Sequence, residues 1–359
     1  MSESEDKKVF LLGKTKSEIE ALVQELSLPK FTAQQILEWI YKKRVTQIDQ
    51  MTNLSVKTRE ILSERYTAER IKYTDVKISQ DKTKKYLFPT EKGSFIEAAF
   101  IPDKERYTLC VSSQTGCKMG CLFCATGRQG FQGNLSTFEI LNQIFSIDES
   151  AKITNLVYMG MGEPFDNFEP VMKSLEILTS SYGLGWSPKR ITVSTIGIIP
   201  NLVKFLEKSQ CHLAISLHSP FEEDRKKLMP IGNVYNLLDV IKILREFEIN
   251  SQRRISFEYI MFKGINDTLR HVNELARLLN GIKCRINLLK FHPVANVPFE
   301  SPDIMTIRRF KDALNDKGIL TTLRTSRGLD IEAACGLLST KKLLQKTKEQ
   351  EVHHKETHK

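Results

Sequence analysis

The 359-residue sequence lacks long apolar runs. No uninterrupted hydrophobic stretch approaches the roughly 20 residues that a membrane-spanning helix needs. The opening segment MSESEDKKVF is acidic and polar, without the apolar core of a secretory leader. We therefore expect a cytoplasmic protein that makes no membrane contact. The hydrophobic content of 41% nevertheless suffices for one large core and a smaller attached unit.

Cysteine is also scarce, but its seven residues are unevenly distributed. Four of them lie between Cys110 and Cys124, whereas Cys211, Cys284 and Cys335 are scattered. In a cytosolic protein such a tight group indicates metal or redox chemistry rather than disulfide bonds. No motif surrounds Cys211 or Cys284, so we expect both to be structural.

Acidic residues are outnumbered by basic ones, 43 to 53, which gives a net charge of +10. Such an excess favours a polyanionic partner, because basic side chains neutralise nucleic-acid phosphates. Basic runs are also common on solvated surfaces, so they identify candidate regions rather than individual contacts. The candidate regions are Lys42–Arg44, Lys82–Lys85, Lys226–Lys227 and Arg308–Arg309. His353, His354 and His358 are expected to be solvated rather than to bind a metal.

The spacing of apolar residues predicts helices in some parts of the chain and strands in others. Helical periodicity marks Lys16–Leu26, Ala33–Tyr41 and Val56–Tyr66, with Thr32 and Ser55 as expected N-caps. Short alternating runs between residues 70 and 112 predict strands. Strand and helix patterns then alternate. The predicted strands are Ile153–Met159, Arg190–Ser194, His212–Leu217, Ile255–Met261, Arg285–Leu289 and Leu320–Arg324, and the predicted helices are Phe168–Leu178, Pro200–Leu206, Leu237–Phe247, Leu269–Leu279 and Ile304–Leu314.

This alternation predicts an α/β fold with a parallel sheet that closes partly into a barrel and binds ligands at the carboxyl ends of its strands. We expect an N-terminal accessory domain over residues 1–95. A catalytic barrel follows over residues 96–340, and residues 341–359 form a charged tail without apolar periodicity.

The spacing Cys117-KMG-Cys121-LF-Cys124 is typical of an iron–sulfur site. Three thiolates can hold a cubane cluster while leaving one iron without a protein ligand. The alternative is a structural zinc site with Cys110 as the fourth ligand. Zinc sites usually divide their ligands into two separated pairs, and this sequence has no second pair.

A second motif, Gly160-Met161-Gly162-Glu163-Pro164, ends the predicted strand Ile153–Met159. Its glycines allow the backbone to approach a ligand closely. Glu163 is then placed to accept hydrogen bonds from a ligand ammonium group. Following the cysteine motif by one strand–helix unit, this turn indicates a cofactor site rather than a simple strand end.

With these motifs in this order, the sequence resembles the radical S-adenosylmethionine (SAM) superfamily and, more narrowly, the RlmN/Cfr type of rRNA methyltransferase. The resemblance runs from about Glu97 to Leu338. The matching segments are CVSSQTGCKMGCLFCATG (110–127), MGMGEP (159–164), RITVSTIGIIP (190–200), AISLHSP (214–220), KLMPI (227–231), EYIMFKGIND (258–267), INLL (286–289) and RGLDIEAACG (327–336). The resemblance implies a partial (β/α)6 barrel with a small N-terminal helical domain that contacts RNA.

The resemblance also implies roles for individual residues. Cys335 carries the methyl group, Cys110 releases the product by forming a disulfide with Cys335, and Glu97 is the general base. The 4Fe–4S cluster is held by Cys117, Cys121 and Cys124. The residues expected to contact SAM are Gly162, Glu163, Ser194, Ser216, Leu217, His218 and Asn287.

The activity implied by the resemblance is methylation of C2 of an adenine in 23S rRNA and of the adenine beside the anticodon in certain tRNAs. Two SAM molecules are used per turnover, with electrons from a low-potential donor such as flavodoxin or ferredoxin, and we expect a monomer. The alternatives are Cfr-type methylation of C8 of the same rRNA adenine, which confers antibiotic resistance, and a non-catalytic zinc or iron–sulfur RNA-binding protein.

Overall fold

The computed structural model describes residues 8–247 and 254–340. Its N-terminal part contains the three helices that the periodicity predicts. The elements are β1 (Val9–Phe10), α1 (Lys16–Glu25), α2 (Thr32–Leu37), α3 (Val56–Arg65) and β2 (Tyr66–Thr67), with a π-helical turn at Glu38–Lys43 and a 3-10 turn at Ile48–Gln50. The predicted charged tail lies outside the described residues.

Of the two expected N-caps, only Ser55 is confirmed. Its hydroxyl accepts the Thr58 N–H at 3.1 Å at the start of α3. The prediction for Thr32 is wrong, because Thr32 is the first residue of α2 and its N-cap, Phe31, makes no side-chain hydrogen bond. The Thr32 N–H instead bonds the Pro29 carbonyl at 2.9 Å. This turn buries the Thr32 side chain in the core.

A ten-stranded sheet forms the centre of the molecule, in the order β14-β13-β12-β11-β10-β9-β6-β5-β4-β3. A separate two-stranded sheet pairs β7 with β8. The strands are β3 (Asp75–Ile78), β4 (Lys84–Pro89), β5 (Phe95–Asp103), β6 (Arg106–Val111), β7 (Gln114–Thr115), β8 (Gly133–Asn134), β9 (Asn155–Tyr158), β10 (Ile191–Thr195), β11 (His212–Ser216), β12 (Ile255–Met261), β13 (Cys284–Lys290) and β14 (Thr321–Leu323).

The helices between the strands are α4 (Ala125–Gln129), α5 (Thr137–Phe145), α6 (Phe168–Thr179), α7 (Ile199–Lys208), α8 (Glu222–Leu228), α9 (Leu237–Glu246), α10 (Leu269–Leu279) and α11 (Ile304–Asp316). From β6 through β9 to β14 every neighbouring pair of strands is parallel. The predicted parallel α/β architecture is therefore confirmed. At the other edge, β3 to β6 are antiparallel and extend the sheet.

The N-terminal helices share one hydrophobic core with the sheet and its helices. The Phe10 ring stacks on Phe138 of α5 with centroids 3.6 Å apart. Tyr41 is buried edge-on against Phe145, and its hydroxyl donates to the Lys14 carbonyl at 2.6 Å. The boundary at residue 95 remains a prediction. No helix in the described ranges is both long and apolar enough to span a membrane.

Candidate active site

The carboxyl ends of the parallel strands surround a cavity of about 150 Å³. Because these ends meet at one edge of the sheet, residues far apart in sequence come together there. Nine of the predicted site residues line this cavity. They are Cys117, Cys121, Cys124, Gly162, Glu163, Ser194, Ser216, His218 and Cys335.

The cysteine-bearing loop between β7 and α4 is fixed by backbone hydrogen bonds. The Cys117 N–H donates to the Gly130 carbonyl at 3.3 Å, and the Cys124 N–H to the Cys121 carbonyl at 3.1 Å. Gly116, with φ +75°, permits this closure, because a Cβ there would lie 1.7 Å from the Gly130 oxygen. The loop therefore presents its three thiols to the cavity from a constrained backbone.

The donor set fits a cubane cluster better than a single ion. Among the described residues, no group of three or more His, Cys, Asp or Glu side chains is placed to hold one metal ion. Zinc would need all its thiolates about 2.3 Å from one point, whereas a cubane binds each thiolate through a different iron. Cys110 lies elsewhere, packed among Ala99, Val157 and Ala333. The arrangement thus offers three cysteines, without Cys110 as a fourth zinc ligand.

The Gly162–Glu163 turn forms one wall of the cavity. Gly162 has φ +97°, and a Cβ there would lie 2.5 Å from the Cβ of Gln114. The Glu163 carboxylate accepts the backbone N–H groups of Phe165 at 3.0 Å and Ile196 at 3.1 Å. Burial raises the pKa of Glu163 to about 7. A cationic ligand group beside this carboxyl would favour its ionised form.

Replacing Gly162 by Ala tests whether the turn shapes the SAM site. Its Cβ would collide with Gln114, so we expect SAM affinity to fall at least about tenfold, equivalent to about 1.4 kcal/mol. Gly281→Ala is the control, because Gly281 has φ +82° but no atom within 4 Å of an added Cβ. Calorimetric titration with SAM should separate the two variants. Equal affinities would show that the close approach at Gly162 does not shape the site.

Three further predicted SAM contacts differ in their placement. The buried His218 ring accepts the Ile260 N–H at Nδ1 over 3.0 Å, which leaves the proton on Nε2. Burial lowers the pKa of His218 to about 3, so the ring is neutral. Leu217 is fully buried and is absent from the cavity lining. The Asn287 amide instead donates to Glu258 at 2.7 Å, and Asn287 lines a different cavity, at the amino ends of the parallel strands.

Cys335 connects this cavity to a second one of about 100 Å³, which it shares with Cys110. The Cys335 side chain has exposed surface facing these cavities, whereas Cys110 is buried on β6, and both are free thiols. Burial raises the pKa of Cys110 to about 12. Burial also raises the pKa of Cys335, partly offset by the Arg324 guanidinium. The two predicted active cysteines therefore line a common cavity.

Glu97 lies away from both cavities, in contact with the C-terminal segment. Its carboxylate pairs with Lys85 Nζ at 3.0 Å and accepts the Ser339 N–H at 3.0 Å. Lys85 also donates to the Glu332 carbonyl at 3.3 Å. Burial raises the pKa of Glu97. In this structure Glu97 holds the segment that carries Cys335 rather than facing the Cys335 sulfur.

A polar network that was not predicted from the sequence lies near Cys335. Glu258 on β12 accepts from Asn287 and pairs with Arg324 Nη1 at 3.4 Å, while Thr322 donates to Asn287 at 2.8 Å. A sequence signal does exist, because Glu258 interrupts the otherwise apolar strand ISFEYIM. Glu258 lines the cavity that contains Cys117, Cys121 and Cys124, here called the cysteine cavity, and Arg324 lines the one shared by Cys110 and Cys335.

Some of the predicted basic regions are already paired within the protein. Lys84 contacts Glu149 at 2.5 Å, and Lys85 pairs with Glu97. Lys43 pairs with Glu38 and lies 3.6 Å above the Trp39 ring. These pairs reduce the positive charge that Lys42–Arg44 and Lys82–Lys85 offer to a polyanion.

Two family models match the chain. Residues 111–279 match the radical SAM superfamily, and residues 9–67 match the ribosomal RNA large subunit methyltransferase N-terminal domain. A probable dual-specificity RNA methyltransferase RlmN from Phocaeicola vulgatus is 54% identical over 94% of this chain and 97% of its own length. The dual-specificity RNA methyltransferase RlmN of Nitratiruptor is 42% identical over 92% of this chain and 98% of its own.

A solved structure has the same fold over most of the chain. It is the crystal structure of a radical SAM methyltransferase from Sphaerobacter thermophilus, with a TM-score of 0.86 and 37% identity. The match covers 92% of this chain and 99% of that one.

Proposed function

Since the chain belongs to the RlmN family of radical SAM RNA methyltransferases, we propose that it methylates C2 of an adenine in 23S rRNA and of the adenine beside the anticodon in certain tRNAs, through a methyl group carried on Cys335. The observation that supports this proposal is the position of Cys335. It lines both the cavity of the three clustered cysteines and the cavity of Cys110.

We assign the cofactors to the cavity lined by the three clustered cysteines. Cys117, Cys121 and Cys124 would hold a 4Fe–4S cluster, and Gly162, Glu163, Ser194, Ser216 and His218 line the space for SAM. When bound, the cluster and SAM would supply a methyl group and one-electron radical chemistry, which an unactivated adenine carbon requires, with two SAM molecules used per turnover and electrons from a donor such as flavodoxin or ferredoxin.

Cys335 and Cys110 then divide the transfer between them. Cys335 would hold the carbon that becomes bonded to adenine, which links protein and RNA covalently. Forming this bond releases a proton from the adenine carbon, and the cofactors would take up the hydrogen atom lost by the methyl group and the one remaining electron. Attack of the Cys110 sulfur on the Cys335 sulfur forms a disulfide and breaks the bond from Cys335 to that carbon. The electron pair of the broken bond stays with the carbon, which takes up a proton and becomes the methyl group. An external thiol reductant must reduce the disulfide before the next turnover.

Glu97 is the proposed base that removes the proton from the adenine carbon. Its carboxylate is held by Lys85 and by the Ser339 N–H. This role therefore requires the segment containing Cys335 and Ser339 to shift when RNA enters. The N-terminal helical region, proposed to contact RNA, packs on the same core through Phe10 and Tyr41, so its role is better tested by surface substitutions than by deletion.

Mapping the methylated carbon tests the proposed regiochemistry. The chain would be expressed in a bacterium that lacks its own adenine C2 methyltransferase, and digested 23S rRNA and tRNA would be analysed by mass spectrometry against 2- and 8-methyladenosine standards. We expect 2-methyladenosine in both RNAs, and none with the matched Cys121→Ala variant. Finding 8-methyladenosine would contradict C2 specificity and indicate the Cfr-type activity. Product confined to rRNA would contradict the proposed tRNA activity.

A further inference from the structure

A wide cavity, here called the basal basin, lies at the amino ends of the parallel strands. Its volume is about 740 Å³. Its wall is formed by residues at or next to the first position of five strands, Asn155, Thr192, His212, Ser256 and Arg285. Closed eight-stranded barrels fill their interior with bulky branched side chains, whereas this sheet is open, with edges at β14 and β3. A wide polar cavity at this end therefore provides room for a ligand.

The basal basin is strongly cationic. Six basic side chains line it, namely Arg106, Lys189, Arg254, Lys283, Arg285 and Arg324. Glu258 is the one acidic residue among the described lining residues, and it pairs with Arg324. The other five basic residues form no ion pair with a described residue. The Arg285 Nε is buried without a hydrogen-bond partner in the described part of the chain.

Electrostatic repulsion among the basic side chains of the basal basin also indicates a site for an anionic ligand. Burial lowers the pKa of Arg106, and the charges of Arg324 and Arg254 lower it further. Burial likewise lowers the pKa of Arg285, with contributions from Arg254 and Arg106. An anionic ligand would relieve this repulsion. The cluster is therefore matched to a ligand that carries several negative charges.

The basal basin adjoins the reacting sulfurs. Met159 lines the basal basin, the cysteine cavity and the cavity shared by Cys110 and Cys335. Arg324 lies between the basal basin and the shared cavity, and Glu258 between the basal basin and the cysteine cavity. A group entering from the strand amino ends would meet Met159 on its way to Cys335.

We propose that the basal basin receives the RNA strand, with Arg254 and Arg285 binding phosphates beside the target adenine while its base passes Met159 to reach Cys335. The inference rests on the proposed function for the identity of the target base. Enzymes that modify a base take it out of its stack, so a single nucleotide must enter. Ligand sites commonly measure about 300–1,000 Å³, a range into which the basal basin falls.

The test compares two double variants that lose the same charge. Arg254→Gln/Arg285→Gln alters the basal basin, whereas the control Lys204→Gln/Lys208→Gln alters exposed side chains of α7 that lie outside the candidate basic regions. Neither Arg254 nor Arg285 has a side-chain partner among the described residues, so the fold should persist, and melting temperature and SAM affinity would verify this. The probe is a fluorescent stem-loop RNA with an unpaired loop adenine, titrated by anisotropy at several KCl concentrations.

We expect the basal-basin variant to bind RNA about 10- to 100-fold more weakly, with the slope of log affinity against log salt reduced by about one or two. The control should change by less than about threefold. Equal losses in both variants would overturn the proposal, because only total charge would then matter. Unchanged RNA affinity in the basal-basin variant would also overturn the proposal. That result would not contradict the proposed methylation of RNA, which is tested separately by mapping the methylated carbon.

Two further readouts locate the RNA and identify the source of phosphate. A 4-thiouridine beside the adenine should photo-crosslink to peptides at the amino ends of β12 and β13, and crosslinks confined to α8 or α11 would contradict the proposal. ATP should compete with RNA only at millimolar concentrations. Tight ATP binding that leaves RNA binding unaffected would assign the basal basin to free nucleotides instead.

Discussion

Cys121→Ala is expected to lose its iron and all cleavage of SAM. Two remaining thiolates, Cys117 and Cys124, cannot hold a cubane that needs three protein ligands to leave one iron open. When purified without oxygen, the wild-type protein should therefore be brown and the Cys121→Ala variant should be colourless. Iron analysis and chromatography of 5′-deoxyadenosine measure the two losses directly.

Cys211→Ala is the matched control for this experiment. Cys211 is a buried cysteine outside the cavities that contain the clustered cysteines and Cys335. Removing its sulfur should cost about 1 kcal/mol of stability and leave iron content and SAM cleavage unchanged. A wild-type protein that is colourless and holds zinc would favour the non-catalytic alternative. Normal turnover in Cys121→Ala would reject the cluster assignment.

The parallel sheet was predictable because short runs rich in apolar and β-branched residues alternate with segments of helical periodicity along the chain. β12, with the sequence ISFEYIM, begins and ends where the pattern predicts, and α10 does too. α8 was not predicted, because its sequence EEDRKKL has almost no apolar periodicity. Its Arg225 is buried and donates to the Ile196 carbonyl at 2.6 Å, a tertiary contact that local sequence does not encode.

The candidate site was predictable where chemistry requires a fixed spacing. The cysteine motif and the Gly162–Glu163 turn are short segments, and the structure places both at one cavity. The network of Glu258 and Arg324 joins β12 to the end of β14, so its members are distant in sequence. The basal basin is likewise assembled from single residues on separate strands. Only the topology of the sheet brings such residues together.

The Ala variants of the two active cysteines, Cys335 and Cys110, should fail at different steps of the methyl transfer. Cys335→Ala has no sulfur to carry the methyl group, so it should form neither an RNA adduct nor product. Cys110→Ala keeps that sulfur and can still become linked to adenine. It lacks only the thiol that attacks the Cys335 sulfur and releases the RNA. Both variants should lose product completely, but only Cys110→Ala should accumulate the adduct.

The adduct can be measured without any activity assay. Cys110 is buried among Ala99, Val157 and Ala333, so the small change to Ala should preserve the packing. Cys110→Ala that is active would show that Cys110 is a core residue without a role in release. Cys110→Ala that is inactive and free of RNA would place its role before formation of the adduct.

A denaturing gel of Cys110→Ala purified from cells therefore tests whether Cys335 carries the methyl group to RNA. We expect a band above the protein that disappears on nuclease treatment and is absent from the Cys110→Ala/Cys335→Ala double variant. A band that persists in the double variant, or no band in Cys110→Ala, would contradict the claim that Cys335 carries the methyl group to RNA.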